Sequence, residues 1–240
     1  MLVIDAHVRP PAARPDIAAA GLLAEMDAAG VDAALVSPAE AEIAVRNREG
    51  NDRVLALAAE RPDRLLPYAV ANPWYGAEAA VELDRALTAG AAAVLVNSAL
   101  QGFLLMDELV DPLIEVARGH RAPVYAHTGT PVHALPLQLA ELALRFPDVA
   151  FVMGRAGRTD FRMDAAPALE SAPNLLADTS HESPHTGLAA LAAAAGAERL
   201  VFASDHPARP MDAAVRRLRN APLTDADREL VAGATLRGLL

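Results

Sequence analysis

The chain carries near its start the stretch Val3-Ile4-Asp5-Ala6-His7-Val8-Arg9. Its apolar beginning predicts a buried strand, and its last residues are polar or charged. Because side chains alternate along an extended strand, we expect Asp5, His7 and Arg9 on the same face. A carboxylate, an imidazole and a guanidinium near a core carry a large desolvation cost. The stretch therefore indicates either a functional strand end or a short edge strand with a polar exit.

The rest of the chain repeats this pattern of a short apolar strand followed by a longer helical segment. Runs of Val, Leu and Ala without strict polar alternation indicate strands buried on both faces, as in a parallel sheet flanked by helices. The predicted strands are Leu2–Asp5, Ala33–Val36, Leu66–Val70, Ala92–Val96, Val124–Ala126, Ala150–Met153, Leu175–Ala177 and Leu200–Ala203.

The segments between the strands are Ala-rich and carry leucine at helical spacing. Thr224 is the predicted N-cap of the terminal helix, because its hydroxyl can accept a hydrogen bond from a free backbone N–H of the first turn. The predicted helices include Ile17–Ala29, Ala77–Ala89, Met106–Arg118, Leu135–Arg145, Met211–Arg219 and Asp225–Leu236.

Eight strand–helix units in 240 residues have the size of a (β/α)8 TIM barrel, which we predict as a single domain over residues 1–240. The competing α/β architecture is a doubly wound open sheet, which normally has about five to seven strands and often a Gly-rich first turn. No G-x-G-x-x-G follows any predicted strand. The strand number therefore favours the barrel.

Composition and charge exclude several classes of function. The net charge of −10 argues against nucleic acid and anionic membrane as partners, because both bind basic surfaces. The chain has no cysteine, which excludes thiolate metal sites, and no lysine, which excludes a Lys Schiff base. The uncharged run Ala86 to Met106 is interpreted as a helix end, a strand and a loop rather than a membrane span. No signal peptide is recognised, and we expect a cytoplasmic location.

Each predicted strand ends in a polar or charged residue, at intervals of about 25 to 35 residues. TIM-barrel enzymes build their active sites at the C-terminal ends of the strands, so these eight positions are candidates for a site. They are His7, Ser37, Asn72, Asn97, His127, Arg155, Asp178 and Asp205.

Three of these residues form a candidate metal site. His7, His127 and Asp205 follow predicted strands one, five and eight. Strands one and eight are neighbours in a closed barrel, and strand five faces them across its mouth. Two imidazoles and one carboxylate can hold a divalent ion there and leave a coordination position open for water. The alternative is two hydrogen-bonded core histidines and an aspartate that caps a helix.

Several motifs follow one another in order over nearly the whole chain: Val3–His7 (V-I-D-A-H), Asn51-Asp52 with Arg61–Arg64 (R-P-D-R), Tyr68–Pro73 (Y-A-V-A-N-P), Val124–His127 (V-Y-A-H), Phe202–Pro207 (F-A-S-D-H-P) and the tail Gly233–Leu240. The set resembles the amidohydrolase superfamily, and within it the branch that includes aminocarboxymuconate-semialdehyde decarboxylase. The resemblance implies a distorted barrel with one Zn or similar ion, and a homodimer. It also implies ligands at His7, position 9, His127 and Asp205, and a catalytic histidine at position 155.

Two of these positions depart from the family pattern. Position 9 is Arg9 and position 155 is Arg155. One ligand and one catalytic imidazole are thus replaced by guanidinium groups, which do not lose their proton in proteins. A binuclear site bridged by a carbamylated lysine after strand four is excluded, because position 97 is Asn97 and the chain has no lysine.

Three functions are compatible with these residues. In the first, His7, His127 and Asp205 hold one divalent ion, while Arg9 and Arg155 bind a small anionic substrate that undergoes amide or lactone hydrolysis or decarboxylation. In the second, a metal-independent lactonase uses Arg9 and Arg155 as electrophiles and Asp205 as general base. In the third, a non-catalytic barrel binds a small acid or a protein partner.

Three further residues are candidates for substrate contacts. Asn97 lies at a predicted strand end, while His181 and His206 lie next to strand ends. An ordinary loop position is the alternative for both histidines.

Overall fold

The computed structural model describes residues 1–10, 15–181 and 187–240. Eight parallel strands follow one another around a single sheet in sequence order. The strands are β1 (Ile4–Val8), β2 (Ala33–Val36), β3 (Leu65–Ala69), β4 (Ala93–Val96), β5 (Val124–His127), β6 (Phe151–Gly154), β7 (Leu175–Asp178) and β8 (Leu200–Val201).

Contacts between the first and last strands nearly close the sheet into a barrel. Ala6 N donates to Phe202 O at 2.8 Å, and Arg9 N donates to His206 O at 2.9 Å. Val8 and His206 form a parallel bridge. Most of this seam lies beyond β8, which is only two residues long. The predicted (β/α)8 TIM barrel is confirmed.

Helices connect the strands. They are α1 (Pro15–Ala29), α2 (Glu40–Ala44), α3 (Asn47–Glu60), α4 (Ala77–Thr88), α5 (Ser98–Gln101), α6 (Asp111–His120), α7 (Pro136–Arg145), α8 (Ala165–Ser171), α9 (Gly187–Ala195), α10 (Met211–Asn220), α11 (Asp225–Glu229) and α12 (Thr235–Leu239). Short 3-10 segments lie at Pro73–Tyr75, Glu108–Val110, Arg155–Gly157, Thr159–Asp164 and Ala197–Arg199. Within the described ranges, no helix combines the length and the apolar character needed to cross a membrane.

The predicted terminal helix is split by a π-helical turn at Leu230–Ala234. Thr224 caps α11 as predicted, because its Oγ1 accepts a hydrogen bond from Asp227 N at 3.1 Å. The turn brings Gly233 against the start of the chain, where a Cβ atom would lie 2.9 Å from Leu2 O. Glycine at this position therefore permits the close approach of the terminal segment to the barrel.

Two apolar clusters fill the fold, and alternate residues of each strand belong to alternate clusters. The larger cluster lies between the strands and the surrounding helices. The smaller one draws on every strand and fills the barrel interior; its members include Ile4, Leu35, Tyr68, Leu95, Tyr125, Val152, Leu176 and Val201.

β1 differs from its prediction, since it begins at Ile4 and continues to Val8. Its pairing with β2 carries one extra residue between Asp5 and Val8. Such a bulge interrupts the alternation of side chains along a strand. We expected Asp5, His7 and Arg9 on one face because an uninterrupted strand alternates its side chains. The bulge interrupts β1, so this alternation does not hold along its whole length.

Candidate metal centre

Three buried side chains meet at the C-terminal end of the barrel. His7 belongs to β1, His127 ends β5, and Asp205 follows β8. Each offers one ligand atom, and these atoms all lie within 4.8 Å of one another. The topology brings them together, because β1 and β8 meet at the seam and β5 lies across the barrel from them.

His7 packs on the aromatic side chains of the barrel interior. Its ring stacks on Tyr125 at a centroid distance of 5.2 Å and an interplanar angle of 7°, and it meets the His127 ring edge-on at 4.7 Å. Nδ1 lies 3.2 Å from Asp205 Oδ1, but outside hydrogen-bond geometry, and neither ring nitrogen has a hydrogen-bond partner among the described residues. Burial lowers the pKa of His7, although contact with Asp205 opposes this shift.

His127 is fixed on one side by Asn97. Its Nδ1 lies 2.7 Å from Asn97 Nδ2, while Nε2 is buried and has no hydrogen-bond partner in the described part of the chain. Burial lowers the pKa of His127 well below its usual value, and the neighbouring His7 and Arg155 lower it further. Both candidate histidines are thus neutral at pH 7, the form in which imidazole binds metals.

Asp205 is surrounded by hydrogen-bond donors and positive charge. His181 Nε2 lies 2.8 Å from Oδ2, and Arg155 Nη2 donates to Oδ1 at 3.3 Å. Arg155 Nε lies 3.2 Å from Oδ2. Burial by itself raises the pKa of Asp205, but His181, His7 and Arg155 outweigh it and hold the pKa far below its usual value. Asp205 is therefore a stable anion and a weak base.

Both partners of this ion pair adopt left-handed backbone conformations. The φ angles are 59° at Asp205 and 66° at Arg155, and Ala156 follows with 41°. Non-glycine residues there carry a cost of about 1–2 kcal/mol each. Asp178 supports the arrangement, because its Oδ1 accepts a hydrogen bond from Arg155 N at 2.8 Å. Strained backbone at two charged residues in contact is typical of functional sites.

Two further buried carboxyl groups, Asp5 and Asp178, adjoin this cluster through their hydrogen bonds. Asp5 Oδ1 accepts from Ser204 N at 2.9 Å and from His7 N at 3.1 Å. Asp178 Oδ2 accepts from Tyr125 Oη at 2.5 Å. Burial raises the pKa of Asp5 to about 7 and also raises that of Asp178. These two carboxyl groups are held by neutral donors, in contrast to Asp205.

The other candidate residues from the sequence occupy different surroundings. Arg9 pairs with Glu40, its Nη1 lying 2.7 Å from Oε1. His206 Nε2 lies 3.3 Å from Glu25 Oε2 on α1. The Asn97 amide is engaged by His127 and by Leu100 N. His181 and Arg155 are thus the candidates that contact Asp205 directly.

Sequence reasoning missed Arg209 and the part played by Tyr125. Arg209 Nη2 lies 3.2 Å from His181 Nδ1, so a chain of contacts runs from Arg209 through His181 to Asp205. The loop after β8 gives no local signal for that contact. Tyr125 did have a signal, since it lies two residues before His127 on β5 and strand alternation places both on one face.

The amidohydrolase family model matches residues 4–235 of the sequence. The chain belongs to the amidohydrolase family. A search of curated proteins returns no match.

Solved structures share the fold of this amidohydrolase-family chain along most of its length. An uncharacterised TIM-barrel protein from Bordetella bronchiseptica has a TM-score of 0.80 and 20% identity, with 100% of this chain and 98% of the other covered. A dihydroxybenzoic acid decarboxylase from Polaromonas sp. JS666, with bound manganese and the inhibitor 2-nitroresorcinol, has a TM-score of 0.77, 18% identity and coverages of 99% and 96%. A 5-carboxyvanillate decarboxylase from Sphingomonas paucimobilis has a TM-score of 0.71, 23% identity and coverages of 90% and 81%.

The donor set of this amidohydrolase-family chain fits a divalent metal ion. Two neutral imidazoles and an ionised carboxylate converge, and the buried His7 Nδ1, His7 Nε2 and His127 Nε2 lack hydrogen-bond partners among the described residues. Buried polar atoms are rarely left unpaired, so these nitrogens indicate a missing partner. Nitrogen and carboxylate ligands suit several first-row metals, so the donor set does not select zinc. Zinc stays a prediction.

Proposed function

We propose that this amidohydrolase-family protein is an enzyme that uses one divalent ion to decarboxylate a small carboxylic acid. The observation that carries the proposal is the buried cluster of His7, His127 and Asp205 with its unpaired imidazole nitrogens. The ion, when bound, would polarise oxygen atoms of the substrate as a Lewis acid. In this proposal the three residues hold the ion and Arg9 and Arg155 recognise the acid.

The two arginines support an anionic substrate. Arg155 contacts Asp205 of the cluster directly, and the charges of Arg9 and Arg155 both lower the pKa of His7 and His127. Their side chains are 17% and 14% exposed, which leaves each guanidinium partly open to a ligand. A guanidinium can bind a carboxylate through two charge-assisted hydrogen bonds. The position of Arg155 beside Asp205 would orient the substrate carboxylate over the cluster.

The low pKa of Asp205 favours decarboxylation, because hydrolysis would need Asp205 to act as a general base. A general base works best when its pKa lies near the working pH, whereas the pKa of Asp205 is held far below its usual value. Decarboxylation breaks the bond to CO2 and leaves an electron pair on carbon, which then takes up a proton. We assign that proton to solvent water, because Arg209 can only donate to His181 Nδ1 at 3.2 Å, which leaves the single proton of that ring on Nε2, 2.8 Å from Asp205 Oδ2.

The similar structures support an aromatic acid as the first substrate class to test. They include decarboxylases that act, by their names, on dihydroxybenzoic acid and 5-carboxyvanillate. The likeness to this chain is one of fold, and the arginines at positions 9 and 155 are the chain's own evidence for a carboxylate. The expected homodimer and cytoplasmic location remain predictions.

The test is release of CO2 from a panel of hydroxybenzoates by protein loaded with Mn²⁺ or Zn²⁺. We expect turnover that a chelator abolishes and that Asp205→Asn lowers by at least about 10³-fold. Asp212→Asn serves as the matched control, because Asp212 is an exposed residue of α10 paired with Arg216. Absence of CO2 release from every acid, with or without metal, would overturn the proposal.

The metal-independent lactonase is the second candidate, because Arg155 already places a positive charge against both oxygens of Asp205. A guanidinium in that position can stabilise developing negative charge without an ion. The weak basicity of Asp205 is the main argument against it. Hydrolysis of lactones that persists in excess chelator would select this reaction, whereas saturable binding of acids without any turnover would select a non-catalytic barrel.

A further inference from the structure

Asn97 links the start of a helix to the candidate metal centre. It follows β4 and is the N-cap of α5, where its Oδ1 accepts a hydrogen bond from Leu100 N at 3.2 Å. Its Nδ2 lies 2.7 Å from His127 Nδ1. Gln101 Oε1 accepts a hydrogen bond from Asn97 N at 3.3 Å. Asn97 itself is only 7% exposed. The side chain is therefore held between two fixed neighbours.

These neighbours determine which way the amide points. Leu100 N also donates to the backbone oxygen of Asn97 at 3.1 Å, but an amide turned over would set Nδ2 against this same N–H, and two donors would oppose each other. Oδ1 must therefore face Leu100 and Nδ2 must face His127. An amide NH2 group can only donate, so His127 Nδ1 must be the acceptor and must carry no proton. The proton of the neutral ring then lies on Nε2.

Nε2 is the His127 nitrogen that remains for a metal ion, and it is buried without a hydrogen-bond partner among the described residues. A protonated ring nitrogen has no lone pair for an ion. We propose that Asn97 weakens metal binding at the cluster by holding His127 in its Nε2–H tautomer. The proposal rests on the function proposed above, in which His7, His127 and Asp205 are the ligands.

Binding of an ion by His127 then requires a rearrangement. The proton must move to Nδ1, and the Asn97 amide must turn and lose its bond to Leu100. Metal-binding histidines ordinarily donate their second N–H to a carboxylate, a carbonyl or water, which raises metal affinity. In this chain a donor, the NH2 group of Asn97, faces Nδ1 of His127 instead. In the metal-free protein, the Nε2–H instead offers a hydrogen bond to an anionic oxygen of the substrate.

Asn97→Asp reverses the tautomer with little change in shape. One carboxylate oxygen would still accept from Leu100 N and the other would accept from His127 Nδ1–H, so the Nε2 lone pair would face the cluster. We expect the dissociation constant for Mn²⁺ to fall about 10- to 100-fold, the range typical of changes around metal-bound histidines. Titration of the metal-free protein in competition with a chromophoric chelator measures this change.

Asn97→Ser controls for the charge that aspartate adds. Serine can keep the N-cap hydrogen bond, but it removes the NH2 group from His127 without adding charge. We expect metal affinity between those of the wild type and Asn97→Asp. Equal affinity of Asn97→Ser and the wild type would mean that charge alone explains any gain, and it would overturn the proposal.

The tautomer can be read directly from the ¹⁵N chemical shifts and two-bond ¹H–¹⁵N couplings of His127 in metal-free protein. We expect Nε2–H in the wild type, which needs no variant to fold, and Nδ1–H in Asn97→Asp. An Nδ1–H tautomer in the wild type would overturn the proposal. Failure of the proposed function has a different signature: the tautomer changes as expected, but neither the wild type nor a variant binds metal.

Discussion

Asp205 and Asp5 are almost equally buried, with exposures of 1% and 0%, yet their pKa values move in opposite directions. Burial raises the pKa of Asp5 to about 7, and its hydrogen bonds come from neutral donors of Ser204 and from His7 N. Asp205 faces Arg155, His181 and His7, which together lower its pKa. The same barrel thus keeps Asp205 fully ionised at the site, whereas Asp5 beside it has a pKa of about 7 and is only partly ionised at neutral pH.

Asp178 resembles Asp5 rather than Asp205. It accepts from Tyr125 Oη, Ser180 Oγ and Arg155 N, all neutral donors, and burial raises its pKa. The comparison teaches that several hydrogen bonds do not suffice to keep a buried carboxylate charged. A nearby guanidinium and two imidazoles do, and the described residues place them around Asp205, the position that we assign to the metal.

The largest expected effect comes from Asp205→Asn, which removes the ionised carboxylate. Arg155 would lose its partner, and we expect the free energy of unfolding at pH 7 to fall by about 3 kcal/mol. Because the folded-state pKa lies below that of the unfolded chain, this stability is present above about pH 4 and is lost as the pH falls further. Urea unfolding at pH 7 and pH 3 measures it, and an equal difference at both pH values would contradict the assignment.

Asp5→Asn has the next largest expected effect, which is a change in how the free energy of unfolding depends on pH. Asp5 has a folded pKa of about 7 against an ordinary value of 3.8, so the wild type loses stability as the pH rises from about 4 to about 7, by at most about 1.4 kcal/mol per pH unit. The variant lacks this loss. We therefore expect it to gain about 3 kcal/mol relative to the wild type between pH 5 and pH 8; parallel stability profiles in urea would contradict this.

Arg155→Lys tests the positive side of the comparison. Lysine keeps the charge but cannot face both oxygens of a carboxylate with a rigid fork. We expect kcat/KM for the acid substrate to fall about 10- to 100-fold, the cost of losing a charge-assisted hydrogen bond. Metal affinity should change less than kcat/KM, and an unchanged kcat/KM would remove Arg155 from substrate recognition.

The smallest expected effect is that of Tyr125→Phe, with Tyr68→Phe as its matched control. Tyr125 Oη donates to Asp178 Oδ2 and Tyr68 Oη donates to Ala6 O, both at 2.5 Å. Each variant should lose about 1 kcal/mol of unfolding free energy at the lowest pH at which the protein stays folded. Only Tyr125→Phe should lose more as the pH rises, because its partner acquires charge; identical pH profiles would show that Asp178 does not titrate.

Much of the fold was predictable because it follows from local pattern. The eight apolar runs, such as Ala33–Val36, correspond to strands to within a few residues. The bulge in β1 and the π-helical turn were not predictable, because they depend on contacts with β2 and with the start of the chain. Sequence periodicity does not carry such long-range contacts.

The three residues of the candidate site were predictable from the sequence because their positions follow from the order of the strands. His7, His127 and Asp205 meet because strand ends converge in a barrel, and that convergence follows from the strand count. The contacts of Asn97 with His127 and of Arg209 with His181 depend on the directions of loops and of single side chains. The proposed roles of these residues therefore emerged only from the structure.

The central claim is that His7, His127 and Asp205 bind one divalent ion, and titration of Mn²⁺ into metal-free protein tests it most directly. We expect weak, saturable binding of one equivalent in the wild type, since Asn97 opposes it, and loss of that binding in Asp205→Asn. Retention of the same equivalent in Asp205→Asn, or the absence of saturable binding in both the wild type and Asn97→Asp, would contradict the account.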